Sequence, residues 1–592
     1  MSLADRAPPA DRLRSLPALL VGITVVALAA RLLLLDARVA HWDEGRVGYD
    51  ILRYVATGAW VYRPIVHGPF LPHVNKVVFS VLGASDYTAR LVPAIVGGLF
   101  PLSAWLYREH LRRVEVVALA ALFAVEPILF YYSRFMRNDV LVAAFAFTAL
   151  GFYVRCYDTG KHRYLYAGTF FLALSFTGKE NAIIYPVTVF GALVLLLDHR
   201  LFLARERGED WTAVLRRYLE WAARGLWRLR YAILLAAVEF AAIFVFFYAP
   251  REAATGGLGL WGALSNPTQL PDVVAAATYN PEPCSIPGPA TPSDYCEGAL
   301  EAAYNSWFSG THQDHAYLPY LGHYLKVLFL ASGGLALLAV VGFLSDRYAG
   351  DRPRDLVALG AYWGFVSVLG YPIAMDINAA WSVAHAVVPL AIPAAAGIAL
   401  FFDWGQDALA RDDRVSVVLS VLVLVLLVGQ LPNVAVQTSY VDPQGTDNVL
   451  VQYAQPEGDI RPALEAIRVA ARENDGTDVV WYGEHFYVSD ESSADRLPAG
   501  GNWYHRLPMP WYLELFDAEV DSTEDADELG RMVETERPPV IITRQQDRSD
   551  DDEFRAVVDD AGYQTFTYDF RQSDDGQELI VVYVDEAYAD SA

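Results

Sequence analysis

The chain has 592 residues, 54% of them apolar, and a net charge of −25 at neutral pH. Apolar runs near bilayer length recur over the first three quarters, where about 20 apolar residues make one membrane-spanning helix, so a soluble globular protein is excluded. An acidic chain of this kind also excludes a nucleic-acid partner.

The charge is unevenly placed. From Tyr440 onward there are 36 Asp and Glu against 11 Arg and no Lys, which is the whole imbalance, and the first 439 residues carry 34 of each sign. The chain therefore divides into a neutral membrane body, 1–439, and an acidic, more soluble tail, 440–592. Four lysines (Lys76, Lys161, Lys179, Lys326) stand against 41 arginines. That balance suggests a salt-adapted organism and equally fits a plain acidic soluble domain.

The first apolar run, Leu16 to Leu35, is too long for a signal-peptide core and lacks a small-residue cleavage site, so it stays as a helix. After it comes H-W-D-E-G-R-V-G-Y-D from His41, then a mixed polar, aromatic and proline-containing stretch that ends at Arg90. Eleven spans follow from the apolar runs: 16–36, 89–108, 114–132, 139–157, 163–178, 181–198, 231–249, 323–344, 356–373, 384–403 and 414–432. The segment 199–230 alone holds eight arginines. By the positive-inside rule it is cytoplasmic, with the N-terminus and the short loops 109–113, 158–162, 345–355 and 404–413. The 37–88 loop, the 250–322 loop and the tail are then extracytoplasmic in a multi-pass cell-membrane protein.

The 250–322 loop is rich in Gly, Pro, Asn and aromatics and reads as irregular, with short helices such as 296–307. Cys284 and Cys296 lie in it and pair as a disulfide if the loop faces an oxidising space. H-Q-D-H at 312–315 has a spacing that could place two ligands near one metal. Two histidines in a polar loop are more often plain surface residues, so the use of a divalent metal stays open. In the tail, 460–472, 525–536 and 551–561 read as helices, and 479–488, 539–543, 563–570 and 578–584 as strands, which makes a small α/β domain. It has no Gly-rich phosphate loop, no CxxC pair and no nucleophile elbow.

Several ionisable residues fall at the outer ends of the spans. Asp43 and Glu44 follow the first, Arg134, Arg137 and Asp139 lie in Y-Y-S-R-F-M-R-N-D, Lys179 and Glu180 in T-G-K-E-N, and Asp376 and His385 flank a late turn. His67, His73, Lys76 and Arg90 share the stretch from His41 to Arg90. Ionisable groups at such depth are costly and often functional. A carboxylate can take the proton of an acceptor hydroxyl, and cations can receive a leaving phosphate. The set therefore suits group transfer from a lipid phosphate at the bilayer surface. Each member also has a plainer reading: basic side chains at helix ends snorkel to the interface, and Asp139 could be an N-cap.

W-D-E-G (42–45), H-G-P-F-L-P-H-V-N-K (67–76) and L-G-A-S-D-Y-T-A-R-L (82–91) together resemble the first external loop of GT-C glycosyltransferases. The branch is similar to the protein O-mannosyltransferase and aminoarabinose transferase group. Y-S-R-F-M-R-N-D and G-K-E-N fall where that family has its next motifs. The whole outline, tail included, resembles an archaeal membrane family that is named flippase-activity-associated and linked to protein N-glycosylation.

The resemblance implies a polytopic α-helical body, inverting transfer of a sugar from a polyprenyl (dolichyl) phosphate on the outer face, and association with other glycosylation-pathway membrane proteins. It implies Asp43 as base with Glu44 beside it, and Asp139 orienting the base or the acceptor. Lys76, Lys179, Arg134 and Arg137 would serve the phosphate, with His67, Glu180 and His385 in the substrate site. The family's later basic residue is reduced here to His385 in W-S-V-A-H-A-V-V-P, and no W-W-D-x-G occurs in the tail. A second reading keeps the lipid-linked sugar as ligand and makes the chain a non-catalytic, flippase-associated transport partner.

Overall fold

The computed structural model describes residues 9–62, 67–251, 259–278, 299–305, 315–349, 353–375, 377–451, 454–456, 460–491, 501–550, 552–559, 561–573 and 576–589. Cys284, Cys296, Asp376 and residues 312–314 of the H-Q-D-H run lie outside them.

The body begins with α1 (Pro9–Leu32), α2 (Trp42–Thr57), α3 (Phe70–Leu82) and α4 (Asp86–Leu99). Then come α5 (Arg113–Val125), α6 (Pro127–Tyr132), α7 (Asp139–Thr159), α8 (His162–Gly178), α9 (Ile184–Glu206) and α10 (Trp211–Tyr248). Three short helices, α11 (Leu260–Ser265), α12 (Leu270–Thr278) and α13 (Ala299–Tyr304), lie in the expected irregular loop. The body closes with α14 (Tyr317–Tyr348), α15 (Asp355–Ala374), α16 (Ala384–Ala410) and α17 (Arg414–Val436).

Among the described residues, eight helical segments are long and apolar enough to cross a membrane, from 86–107 to 414–441. They coincide with eight of the eleven expected spans. The other three differ for local reasons. The apolar part of α1 is short, 16–32, and α8 has 17 residues. The run 114–132 is cut in two at Pro127, where the Glu126 carboxylate caps α6 through the Leu129 N–H at 2.7 Å. The Ser332 hydroxyl also bonds Glu126, at the one residue of α14 with non-helical backbone angles.

The expected outer loop 37–88 is largely helical, and its first ten residues explain why. His41 caps α2 by accepting from the Asp43 N–H, and the Glu44 carboxylate reaches back to the His41 N–H. This reciprocal box satisfies two orphan donors at once. Gly58 then ends α2 in the left-handed region, φ 71°.

The tail runs α18 (Arg461–Glu473), β1 (Val479–Tyr482), α19 (Met509–Phe516), β2 (Val520–Thr523), α20 (Ala526–Thr535) and β3 (Val540–Arg544). It ends with α21 (Gln545–Asp550), α22 (Asp552–Asp559), β4 (Tyr563–Ser573), β5 (Gly576–Asp585) and α23 (Glu586–Ala589). The sheet order is β2-β1-β3-β5-β4, with β1 parallel to β2 and β3 and the other pairs antiparallel.

Side chains alternate across the sheet with period two. Val480, Tyr482, Ile541, Val581 and Tyr583 form an outer core with α20 and α22. Val479, Trp481, Val540, Ile542, Ile580 and Val582 face the other way and share one core with Val47, Ile51, Phe70, Phe79 and Leu141 of the body. The tail is thus packed onto α2 and α3. Trp511 and Tyr512 of α19 both bond the Asp86 carboxylate at 2.9 Å, and a Cβ on Gly48 of α2 would sit 2.6 Å from the Trp511 ring.

Candidate active site

The N-terminus of α2, the turn before α7 and the turn after α8 converge. Asp43 is the only one of the meeting groups with appreciable solvent access, its side chain 21% exposed. Arg137 bonds the Asp43 Oδ2 through one terminal nitrogen and the Asp139 Oδ2 through Nε at 3.2 Å. Lys179 Nζ donates to Asp139 Oδ1 at 2.8 Å, and His385 Nε2 lies 3.9 Å from the same oxygen. His385 shares its Nδ1 with the Tyr185 hydroxyl at 2.6 Å and stacks on Tyr371. The result is a line of alternating charge, Asp43, Arg137, Asp139, Lys179, buried everywhere except at Asp43.

The second Asp43 oxygen, Oδ1, is 3.6 Å from His67 Nε2. Burial would raise the Asp43 carboxyl, but the Arg137 guanidinium, helped by His67 and His41, overrides that and holds it well below the usual carboxylate range. His67 reaches this place because its loop is clamped. The Gly68 N–H donates to the Gly178 carbonyl at 3.0 Å, and a Cβ on Gly68 would come within 2.3 Å of the Thr177 oxygen. The Tyr62 hydroxyl on the same loop bonds Glu180, so Glu180 holds the loop.

Two expected members sit elsewhere, each for a visible reason. Glu44, expected beside Asp43 in the chemistry, is 3% exposed and saturated. Its Oε1 accepts from Arg90 and the Met136 N–H, and its Oε2 from Arg38, Arg90 and the His41 N–H, all between 2.6 and 3.2 Å. Burial opposes the charge, and Arg38 and Arg90 more than restore it, so Glu44 stays ionised far below the usual range. With every lone pair engaged, it is a structural anion. Arg134, expected at the phosphate, spends its terminal nitrogens on the carbonyls of Arg31, Leu33 and Leu34 at 2.7–2.8 Å, and so caps the end of α1.

Lys76 is not in the Asp43 line either. Its ammonium lies 3.8 Å over the Tyr54 ring. Tyr54 bonds His73 Nδ1 at 3.1 Å, and His73 Nε2 meets the Phe247 carbonyl at 2.8 Å. Arg251 is the neighbour that sequence reasoning missed. It pairs backbone to backbone with Trp60 and acts electrostatically on Lys76, His73 and Tyr54. Among the described residues, neither Lys76 nor Arg251 has a carboxylate partner. The buried Arg251 guanidinium donates to the Ala249 and Phe246 carbonyls at 2.5 and 2.6 Å, so Lys76 is the cation of the two whose donors are not spent on backbone oxygens, with the Arg251 charge behind it. Asp43 and Tyr54 fall on one face of α2, three turns apart, and one loop carries both Trp60 and His67. The carboxylate and the cation pair therefore border the same side of α2.

Among the described residues no group of three His, Cys, Asp or Glu side chains is arranged to hold a metal ion.

Residues 66–208 match the family model for dolichyl-phosphate-mannose-protein mannosyltransferase, and residues 460–585 match the Agl23 flippase-associated protein C-terminal domain. The body and the tail thus each carry a partial family match, and the chain as a whole has a GT-C-like fold. Its GT-C fold is matched by ArnT from Cupriavidus metallidurans bound to undecaprenyl phosphate, at 14% identity and a TM-score of 0.52, over 95% of this chain and 97% of that one. Apo ArnT from the same organism gives 15% identity and the same score and coverage. The oligosaccharyltransferase AglB from Archaeoglobus fulgidus, in complex with an inhibitory peptide and a dolichol-phosphate, is similar at 13% identity over 97% of this chain and 74% of AglB, with a TM-score of 0.49. No curated protein matches the chain.

Proposed function

We propose that this GT-C protein transfers a sugar from a polyprenyl phosphate to an acceptor hydroxyl or amide, with Asp43 as the base. The observation that carries the reading is the partial exposure of Asp43, 21%, at one end of an otherwise buried charge line. The acceptor oxygen or nitrogen attacks the anomeric carbon as the carbon–oxygen bond to the phosphate breaks. The electron pair leaves with the polyprenyl phosphate, and the acceptor proton passes to Asp43 Oδ1. Arg137 holds Oδ2 and keeps the carboxylate charged, while Asp139 and Lys179 hold Arg137 in place. Lys76, with the charge of buried Arg251 behind it, receives the phosphate charge. Attack from the side opposite the leaving phosphate inverts the anomeric centre. The undecaprenyl phosphate bound by ArnT supports the carrier class. The arginine-rich segment 199–230 supports a cytoplasmic N-terminus, with the reaction and the tail on the outer face, in surface-glycan or N-glycan assembly.

The test is transfer from a radiolabelled polyprenyl-phosphate hexose to a crude extract of surface glycoprotein or lipid-linked glycan, with Asp43→Asn in parallel. Wild type moves label, and the variant falls by roughly a hundredfold or more while it still binds donor. A second reading is favoured by the tail's match to a flippase-associated family: a transport partner that binds lipid-linked sugar without transferring it. Donor binding by both proteins with transfer by neither would decide for it.

A further inference from the structure

A cavity of about 370 Å³ lies on the seam between the tail and α2, within the range of small-molecule sites, roughly 300–1,000 Å³. It is lined neither by Asp43 nor by Lys76. Tyr49 and Arg53, one turn apart on α2, form the wall on the body side. Trp481 of β1, with Trp503 and Arg506 ahead of α19, faces them.

The lining selects a ligand chemistry. Its arginines are neutralised: Arg53 pairs with Glu514 at 2.5 Å, and Arg506 holds Glu491 through two bonds at 2.9 and 3.1 Å. Glu519 adds a third acid to the lining, which is therefore net negative and repels phosphate. Guanidinium–carboxylate pairs set donors beside acceptors, which matches hydroxyl groups that are both. Trp481 adds a further donor. It is fully buried, and its indole N–H has no acceptor, whereas buried polar groups are nearly always bonded.

We propose that this cavity binds an uncharged saccharide and is a second sugar subsite of the chain. Measured along α2, Tyr49 and Arg53 lie about 9 and 15 Å from Asp43 and a quarter to a third of a turn round the helix. A sugar held there is not the reacting one. On the transferase reading above, it is a distal residue of the acceptor glycan, bound while a nearer residue meets Asp43. The saccharide assignment itself rests on the lining alone.

The test uses the full chain in detergent with ¹⁵N-labelled tryptophan, and mannobiose, maltose and inorganic phosphate as probes. At tens of millimolar, at least one disaccharide shifts the Trp481 indole resonance, and phosphate does not. Trp481→Phe keeps the ring and loses the donor, so binding weakens roughly three- to tenfold. Glu519→Ala, on an exposed side chain, weakens it severalfold and covers the case in which the tryptophan variant folds poorly. A silent Trp481 with both sugars, a response to phosphate instead, or unchanged binding in both variants overturns the proposal. Asp43→Asn separates the two readings. If wild type transfers label and Trp481 stays silent, the subsite falls and the transferase stands. If disaccharide binds through Trp481 in wild type and Asp43→Asn while neither transfers label, the transferase falls and the subsite stands.

Discussion

On the proposed mechanism Asp43 is the base, and its basicity is set by a neighbour. Because Arg137 holds its carboxyl well below the usual range, the group stays ionised as pH falls through the ordinary carboxylate region. Its activity is lost only below that region. Arg137→Gln removes the stabilising charge, so the Asp43 pKa rises and the acid limb of the pH–rate profile moves up. A profile unchanged by Arg137→Gln would remove Arg137 from the mechanism. Lys76→Met and Arg251→Met test the cation pair in the same way. Each should weaken polyprenyl phosphate binding about ten- to a hundredfold, the worth of a charged hydrogen bond; thermal stability is little changed in Lys76→Met and falls in Arg251→Met, which strands the Ala249 and Phe246 carbonyls. Glu44→Gln should do the reverse of Lys76→Met. It strands two buried guanidiniums, Arg38 and Arg90, and loss of one partner of a buried pair costs about 3–5 kcal/mol. The melting temperature in detergent, rather than donor affinity, reports it.

At the scale of elements, α2 is the piece on which both halves of the molecule rest. Gly48→Ala gives a prediction whose sign is informative. In a free helix the change stabilises by about 1 kcal/mol. Here the new methyl would meet the Trp511 ring, which is 1% exposed and bonded to Asp86. The docked tail should lose roughly 1–3 kcal/mol, read as faster proteolytic release of the tail. A variant more resistant than wild type would mean that the tail does not sit on α2.

These elements also show what could be read in advance. The spans were legible because apolar length alone defines them, and Asp43, Asp139 and Lys179 were legible because each lies at or near the outer edge of such a span. The helical character of 42–57 was present in the His41–Glu44 box, but the loop's prolines and aromatics obscured it. Strand β2 was missed because V-D-S-T is four residues with one acid and no alternation. Arg251 was missed for a different reason. It lies 175 residues from Lys76 in sequence, and only the packing of α10 against the first loop brings them together. Its single clue was its place as the first basic residue after an apolar span. Saturation of Glu44 and Arg134 could not be read at all, because Arg134 is held by backbone carbonyls and Glu44 by Arg38, Arg90 and two backbone N–H groups that only the packing brings together.

For the whole molecule, charge sets the conditions under which the parts hold. The tail carries the entire net charge of −25, whereas the seam to the body is mainly apolar, with a few buried hydrogen bonds and the Arg53–Glu514 pair. Salt therefore relieves repulsion within the tail without loosening the seam. The melting temperature should rise as the Debye length shrinks from about 10 Å toward 3 Å. A fall over that range would mean that ion pairs, rather than packing, hold the tail in place.

The seam also sets a schedule for biogenesis. α2 leaves the ribosome among the first sixty residues, and the groups that cover it, Pro508 against Gly45 and Trp511 against Gly48, are made after residue 500. The Ala40 N–H, one residue ahead of the α2 cap, takes its acceptor from Tyr512. Asp43 is therefore inserted early with its surroundings unfinished, and the tail, translated after the body, completes them. A chain stalled or truncated before α19 should span the membrane with its first helices in place and still lack a working site.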